Sequence, residues 1–137
     1  MLKRVIRRSA ALGAGTALVL AVTAFAVTPQ AGNYTSPGEG GTYFTVTKGG
    51  KSLKKGAAAA STFKCNKVNL VVSKAIPISG GKFSFKGKVK TDAKGTKGTL
   101  TWKGHWTSAT KVKGTAGLVR GSCKSTVKWT AAPLSSG

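Results

Sequence analysis

Apolar and polar side chains alternate with a period of two along much of the chain, and this pattern constrains the fold more than any other feature. In KFSFKGKVK, Phe83 and Phe85 share one parity, while lysines and a serine take the other. The segments TLTWKGHWT, TKVKGTAGLV and CKSTVKWTA repeat this arrangement later in the chain. Such alternation is typical of strands that turn one face to a core and the other to water.

Glycine-rich turns separate these alternating runs at intervals of about ten residues. They are KGGK at 48–51, SGGK at 79–82 and TDAKGTKG at 91–98. Short strands at regular spacing are the signature of an antiparallel sandwich or barrel. The sequence therefore predicts an all-β domain over residues 42–132, an antiparallel β-sandwich with a small β-barrel as the alternative. A short tail is predicted at 133–137.

The first 26 residues have the layout of a secretory signal peptide. A basic start, MLKRVIRR, precedes an uncharged apolar run, and Ala24–Ala26 fits the small-x-small cleavage rule. The alternative is a transmembrane anchor, but the strongly apolar run is short for a membrane span. We expect cleavage, no transmembrane segment after it, and a secreted or cell-wall-associated protein. Residues 27–41, rich in Pro, Gly, Ser and Thr, are predicted to form a flexible lead-in.

The chain has two cysteines, Cys65 and Cys123, and both fall at inward parity in strand-like segments. In an exported protein such a pair predicts one disulfide, within a sheet or between sheets. The alternative is a catalytic or metal-binding thiol. No CxxC motif is present, and only His105 and the two acids could complete a metal site. We therefore predict a structural disulfide, no metal and no cofactor.

A series of turn, aromatic and cysteine motifs runs along the chain. The motifs lie at Gly41–Tyr43, Cys65, Gly81–Ser84, Gly104–Gly114 and Cys123–Ala131. The last of them reads C-x5-W-x-A. Together they resemble a recurrent family of small secreted actinobacterial proteins that is largely uncharacterised. The resemblance implies a secreted, β-sandwich-like domain and carries over no catalytic or ligand residues. Members of this family are not usually so rich in lysine, so the charge is particular to this chain.

The acidic residues are too few for most enzyme mechanisms. General acid–base and glycosidase chemistry usually needs two placed carboxylates. This chain has only Glu39, in the predicted lead-in, and Asp92, in a predicted turn. Neither a G-x-S-x-G nucleophile elbow nor a P-loop is present. We expect a non-enzymatic protein without catalytic residues.

Basic residues dominate the charge, with 23 Lys and Arg against two acids and a formal net charge of +21. Four of them precede residue 27, which leaves 19 in the predicted mature chain, and Arg120 is the only arginine among these. Alternate residues on a strand lie about 6.5 to 7 Å apart, inside the Debye length of about 8 Å. A polyanion laid over such a face would relieve the repulsion and release counterions. The lysines assigned to this surface are Lys82, Lys86, Lys88, Lys90, Lys103, Lys111, Lys113, Lys124 and Lys128.

These lysines predict low-specificity binding to anionic envelope polymers, which could be teichoic acid, anionic lipid or extracellular nucleic acid. Lysine offers a point charge, which suits phosphates better than sequence readout. The alternative is that the lysines only keep the domain soluble and protect sheet edges. Damage to anionic membranes ranks lower, because no amphipathic helix is visible.

A carbohydrate-binding module is a further hypothesis, because exposed aromatic rings can contact sugars. Trp102, Trp106 and Trp129 share parity with apolar neighbours and are predicted to lie in the core. Tyr34 and Tyr43 are the aromatic residues that we expect to be exposed.

Overall fold

A computed structural model of the chain describes residues 27–37, 41–59 and 64–134. The predicted signal peptide, Glu39 and residues 135–137 of the predicted tail lie outside the described residues. Within them, the regular elements are β-strands and one 3-10 turn at Lys48–Gly50. The strands are β1 (Gly32–Thr35), β2 (Tyr43–Val46), β3 (Ser52–Leu53), β4 (Ala57–Ala58), β5 (Val71–Val72), β6 (Ile76–Pro77), β7 (Lys82–Lys90), β8 (Lys97–Ser108), β9 (Lys111–Arg120) and β10 (Cys123–Pro133).

The strands join into one antiparallel sheet with the hydrogen-bonded order β5-β4-β2-β1-β10-β9-β8-β7, and β3 bridges β2 and β6. The four long strands β7 to β10 follow one another as a meander and form the larger half. β1 pairs with both β2 and β10 and so joins the two halves. The sheet curls until it is nearly closed and barrel-like. The all-β, antiparallel prediction is confirmed, and the continuous curled sheet corresponds to the barrel alternative.

The alternating runs form the strands that the period-two pattern predicted. In β7, Phe83, Phe85 and Val89 are buried while every lysine of the strand is exposed. The register sets Phe85 opposite Trp102 of β8, so apolar side chains meet on one face. A strand with one apolar and one charged face can only bury the apolar one, and this fixes the direction of the curl.

Phe44 of β2 lies at the centre of an aromatic core between the two halves. Its ring centroid is 5.2 to 6.2 Å from those of five others, Tyr34, Phe83, Trp102, Trp106 and Trp129. Most of these pairs are edge-to-face, the arrangement that aromatic quadrupoles favour. The three tryptophans are 0 to 6 % exposed, which confirms their predicted place in the core.

The described part of residues 27–41 is not the flexible lead-in that its composition predicted. β1 lies within it, and Tyr34 is fully buried instead of exposed. The Tyr34 hydroxyl accepts from Nε1 of Trp106 at 3.2 Å and lies 2.7 Å from the carbonyl oxygen of Gln30. Pro, Gly and Ser residues flank β1 and favour turns there. The strand forms nevertheless, because Tyr34 is buried and β1 pairs with both β2 and β10. Tyr43 is 43 % exposed, as predicted.

The predicted disulfide between Cys65 and Cys123 is present, with a Cα–Cα distance of 5.8 Å. It joins the segment between β4 and β5 to the first residue of β10. Cys65 is buried and Cys123 is partly buried against the core. The bridge therefore ties the smaller half of the sheet to the larger one.

Candidate polyanion-binding groove

Every lysine after residue 26 is exposed, and these lysines number eighteen. Asp92 is the one carboxylate side chain in the described ranges, and it is already bound to Arg120 with an Nη2–Oδ2 distance of 3.0 Å. Among residues 27–37, 41–59 and 64–134, lysine therefore forms no ion pair with a carboxylate side chain. Over these ranges, no carboxylate side chain offsets the charge of the lysines.

Asp92 has a structural role in the turn between β7 and β8. Its Oδ1 atom accepts hydrogen bonds from the backbone N–H groups of Thr96 and Lys94, both at 3.0 Å. These bonds, with that of Thr96 first, and the Arg120 charge hold the pKa of Asp92 below its ordinary value of 3.8. The carboxylate thus holds the turn and is not free to neutralise the lysine surface.

The strand register brings four of the nine predicted lysines together on the solvent face of β7 to β10. We call them the groove lysines, and they are Lys82, Lys103, Lys113 and Lys128. Each of the four strands carries one of them. Each groove lysine lies two residues along the strand from the position directly opposite the groove lysine of the neighbouring strand, so successive lysines are diagonal neighbours. Diagonal neighbours of this kind lie about 7 to 8 Å apart. The four charges form a zigzag that runs across the strands.

Polar side chains occupy the positions between the groove lysines. His105 lies opposite Lys82 on one side and Lys113 on the other, and Thr115 lies opposite Lys103 and Lys128. We call His105, Thr115, Ser84 and Thr130 the polar positions. Together with the groove lysines they form two rows across the sheet. All four are exposed. Cationic and hydrogen-bonding groups therefore alternate in both directions over the surface.

The groove lysines and the polar positions line one open groove with a volume of about 1020 Å³. Gly104 and Gly114, which pair across β8 and β9, also line it. A Cβ on Gly104 would lie 2.9 Å from atoms of both Phe83 and Trp129, and one on Gly114 would collide with the Lys103 backbone. Glycine at both positions lets the strands and the rings beneath them pack closely. The shape of the groove depends on that packing.

The other five predicted lysines do not line the groove. Lys86, Lys88 and Lys90 follow one another along β7, at one end of the hydrogen-bonded strand order, and we call them the edge lysines. Lys111 begins β9 beside a register shift in β8, and Lys124 lies near the start of β10. The nine residues are thus one gathered set of four and a dispersed set of five.

Sequence reasoning assigned the lysines and His105 to the outer face, but it missed that His105 lies opposite Lys82 and Lys113, and it missed the glycine pair. Parity gives the face of a side chain and not its partner on the next strand. In the described ranges, no three His, Cys, Asp or Glu side chains are grouped as a metal site would need. Over the same ranges, no helix is long and apolar enough to cross a membrane.

Comparison with known protein families, curated proteins and solved structures finds no match to this chain. The features of the family resemblance that the structure contains are the bonded cysteine pair and the C-terminal strand. The function must therefore be argued from the groove itself.

Proposed function

We propose that this chain is an exported, non-enzymatic protein that binds anionic polymers of the cell envelope through its outward lysines. The observation that carries the proposal is the gathering of four lysines in one groove whose lining contains no carboxylate. Lysines at strand positions about 7 to 8 Å apart carry like charges that repel one another, and a bound polyanion relieves that repulsion and releases counterions. The remaining lysines extend the attraction over the rest of the surface.

Protection of a sheet edge accounts for the edge lysines but not for the groove lysines. Charges on a terminal strand hinder pairing with a second chain, and Lys86, Lys88 and Lys90 lie where such protection is needed. The groove lysines lie on four successive strands, three of which have hydrogen-bonded partners on both sides. Edge protection therefore does not explain the groove lysines, whereas anion binding does.

Export is part of the proposal, and the disulfide supports it. Disulfides persist in oxidising compartments and are rare in the cytosol, and this fold contains one. We propose that the chain belongs to the family of small secreted actinobacterial proteins that it resembles.

The test is binding of residues 27–137 to fluorescently labelled teichoic acid, followed by anisotropy over a range of salt. Non-specific polyanion binding has a Kd of about 10⁻⁶ to 10⁻⁴ M at physiological salt, and log K falls linearly with log salt. We expect saturable binding in this range with that linear dependence. Absence of saturable binding at about 0.15 M salt would contradict the proposal and leave the solubility role. A neutral glucan of similar length is the control ligand.

A further inference from the structure

We propose that the groove is the primary site and that its ligand is a single flexible phosphodiester chain with hydroxylated linkers, lying across the strands. This inference rests on the proposed function and names both the ligand class and its direction. A poly(polyol phosphate) is the simplest polymer of this chemistry. The groove would bind this polymer through alternating charged and hydrogen-bonding contacts, and not through contacts with bases.

The direction follows from the zigzag of the groove lysines. They lie on four neighbouring strands, so a ligand that meets all four crosses three interstrand gaps, about 14 Å in total. Along any one of these strands the groove holds a single lysine. A chain running parallel to the strands would therefore leave the groove after one contact. The competing row runs along β7 and consists of the edge lysines, which do not line the groove.

The linker chemistry follows from the polar positions. Ser84, Thr115 and Thr130 place hydroxyl groups between the charges, and His105 places an imidazole there. In a polyol phosphate chain, anionic phosphates alternate with carbons that carry hydroxyls. Each phosphate can lie near a lysine while a linker hydroxyl meets a neighbouring polar side chain. The alternation of the protein surface thus matches the alternation of the polymer.

A nucleic acid fits the groove less well than a base-free chain. Single-stranded nucleic acid is held largely by stacking of bases on exposed aromatic rings. The large aromatic rings that line the groove, Phe83 and Trp129, are 4 % and 6 % exposed, so neither offers a free face. The one exposed ring in the lining is the imidazole of His105, which can stack one base but not successive bases. Arg120, the one arginine after residue 26, is bound to Asp92 and is not among the lining residues, so bidentate readout is not available there.

The test compares two variants of equal net charge made in residues 27–137. One changes the groove lysines to glutamine, K82Q/K103Q/K113Q/K128Q, and the other is K86Q/K88Q/K90Q/K124Q. Binding is measured against poly(glycerol phosphate), polyphosphate and oligothymidylate chains with equal numbers of phosphates. The substituted side chains are all exposed, so both variants should fold, and tryptophan fluorescence and the thermal midpoint check this.

We expect the salt slope of the groove variant for poly(glycerol phosphate) to fall by about three, from four lost contacts at about 0.7 each. Its loss of affinity relative to the unsubstituted protein should therefore grow by about 50-fold when the salt concentration is lowered fourfold. The control variant should lose only a few-fold. T115V/T130V should lose about fivefold per hydroxyl against poly(glycerol phosphate) and nothing against polyphosphate, which lacks linker hydroxyls.

The other outcomes separate this inference from the proposed function. Equal losses in both charge variants would overturn the groove and leave general polyanion binding intact. Oligothymidylate bound as tightly as poly(glycerol phosphate), with the same loss in the groove variant, would overturn the base-free ligand. Failure of the unsubstituted protein to bind any of the three polymers would overturn the proposed function itself.

Discussion

Removal of the disulfide tests how much of the stability comes from chain constraint. We consider the double substitution Cys65→Ala and Cys123→Ala. Unlike a single substitution it leaves no free thiol, and unlike serine, alanine places no hydroxyl group in the core. The bridge spans a sequence separation of 58. In the loop-closure relation a loop of this length contributes about 14 cal/mol/K, or about 4 kcal/mol at 25 °C. Total unfolding free energies are commonly about 5 to 15 kcal/mol, so this is a large share.

Urea unfolding followed by tryptophan fluorescence measures the effect, because all three tryptophans are buried and report loss of the core. For a small protein the dependence on urea is about 1 to 3 kcal/mol per molar. A loss of about 4 kcal/mol therefore lowers the urea midpoint by about 1.3 to 4 M. The unsubstituted protein with a reducing agent is the matched control and should unfold at the same urea concentration as the double variant.

A loss of less than about 1 kcal/mol in both samples would contradict a loop-closure origin of the stability, because a loop of this length cannot contribute so little in the entropy model. A large loss in the variant but not in the reduced protein would instead assign the effect to the alanine side chains. Agreement of the two samples near the expected midpoint supports loop closure.

Two further predictions concern the turn and the groove. Hydrogen bonds, that from Thr96 first, lower the pKa of Asp92, so its carboxylate stabilises the fold at pH values above the ordinary pKa of 3.8. That stability is lost as the pH falls through the lower pKa of the folded state. Asp92→Asn should therefore make the thermal midpoint less dependent on pH between about pH 5 and pH 2. Gly104→Ala should cost about 1 to 3 kcal/mol in urea unfolding, because its Cβ would lie 2.9 Å from Phe83 Cζ. Gly117→Ala is its control and should be near neutral, since its nearest contact is 3.5 Å; equal losses would contradict the steric argument.

The long strands were predictable because apolar and polar side chains alternate along most of each one. The short strands were not. β3 to β6 are two residues each, and two residues cannot display a period. Hydrogen bonds to longer neighbours place them in the sheet. β1 was hidden for a different reason, since its GNYT sequence lies among turn-forming residues and only Tyr34 signals burial.

The lysines of the site were predictable as outward-facing but not as a group. Which of them meet depends on the register, and register is a property of two strands at once. The irregularity between Trp106 and Ser108 illustrates this, because it sets Lys111 opposite Ser108. Lys111 has the same parity as Lys113 but does not line the groove. Nothing in the alternation of β9 alone distinguishes these two lysines.

The place of β10 between β1 and β9 has a consequence for the order in which the protein can fold. The strand that comes last along the chain supplies the link between the two halves, and Cys123 at its start completes the disulfide. The pairing of β1 with β10 therefore joins segments from opposite ends of the described chain, with Tyr34 opposite Pro133. Contacts between such distant segments make folding slow. We therefore expect the joining of the two halves, and not the formation of the β7 to β10 meander, to limit the folding rate.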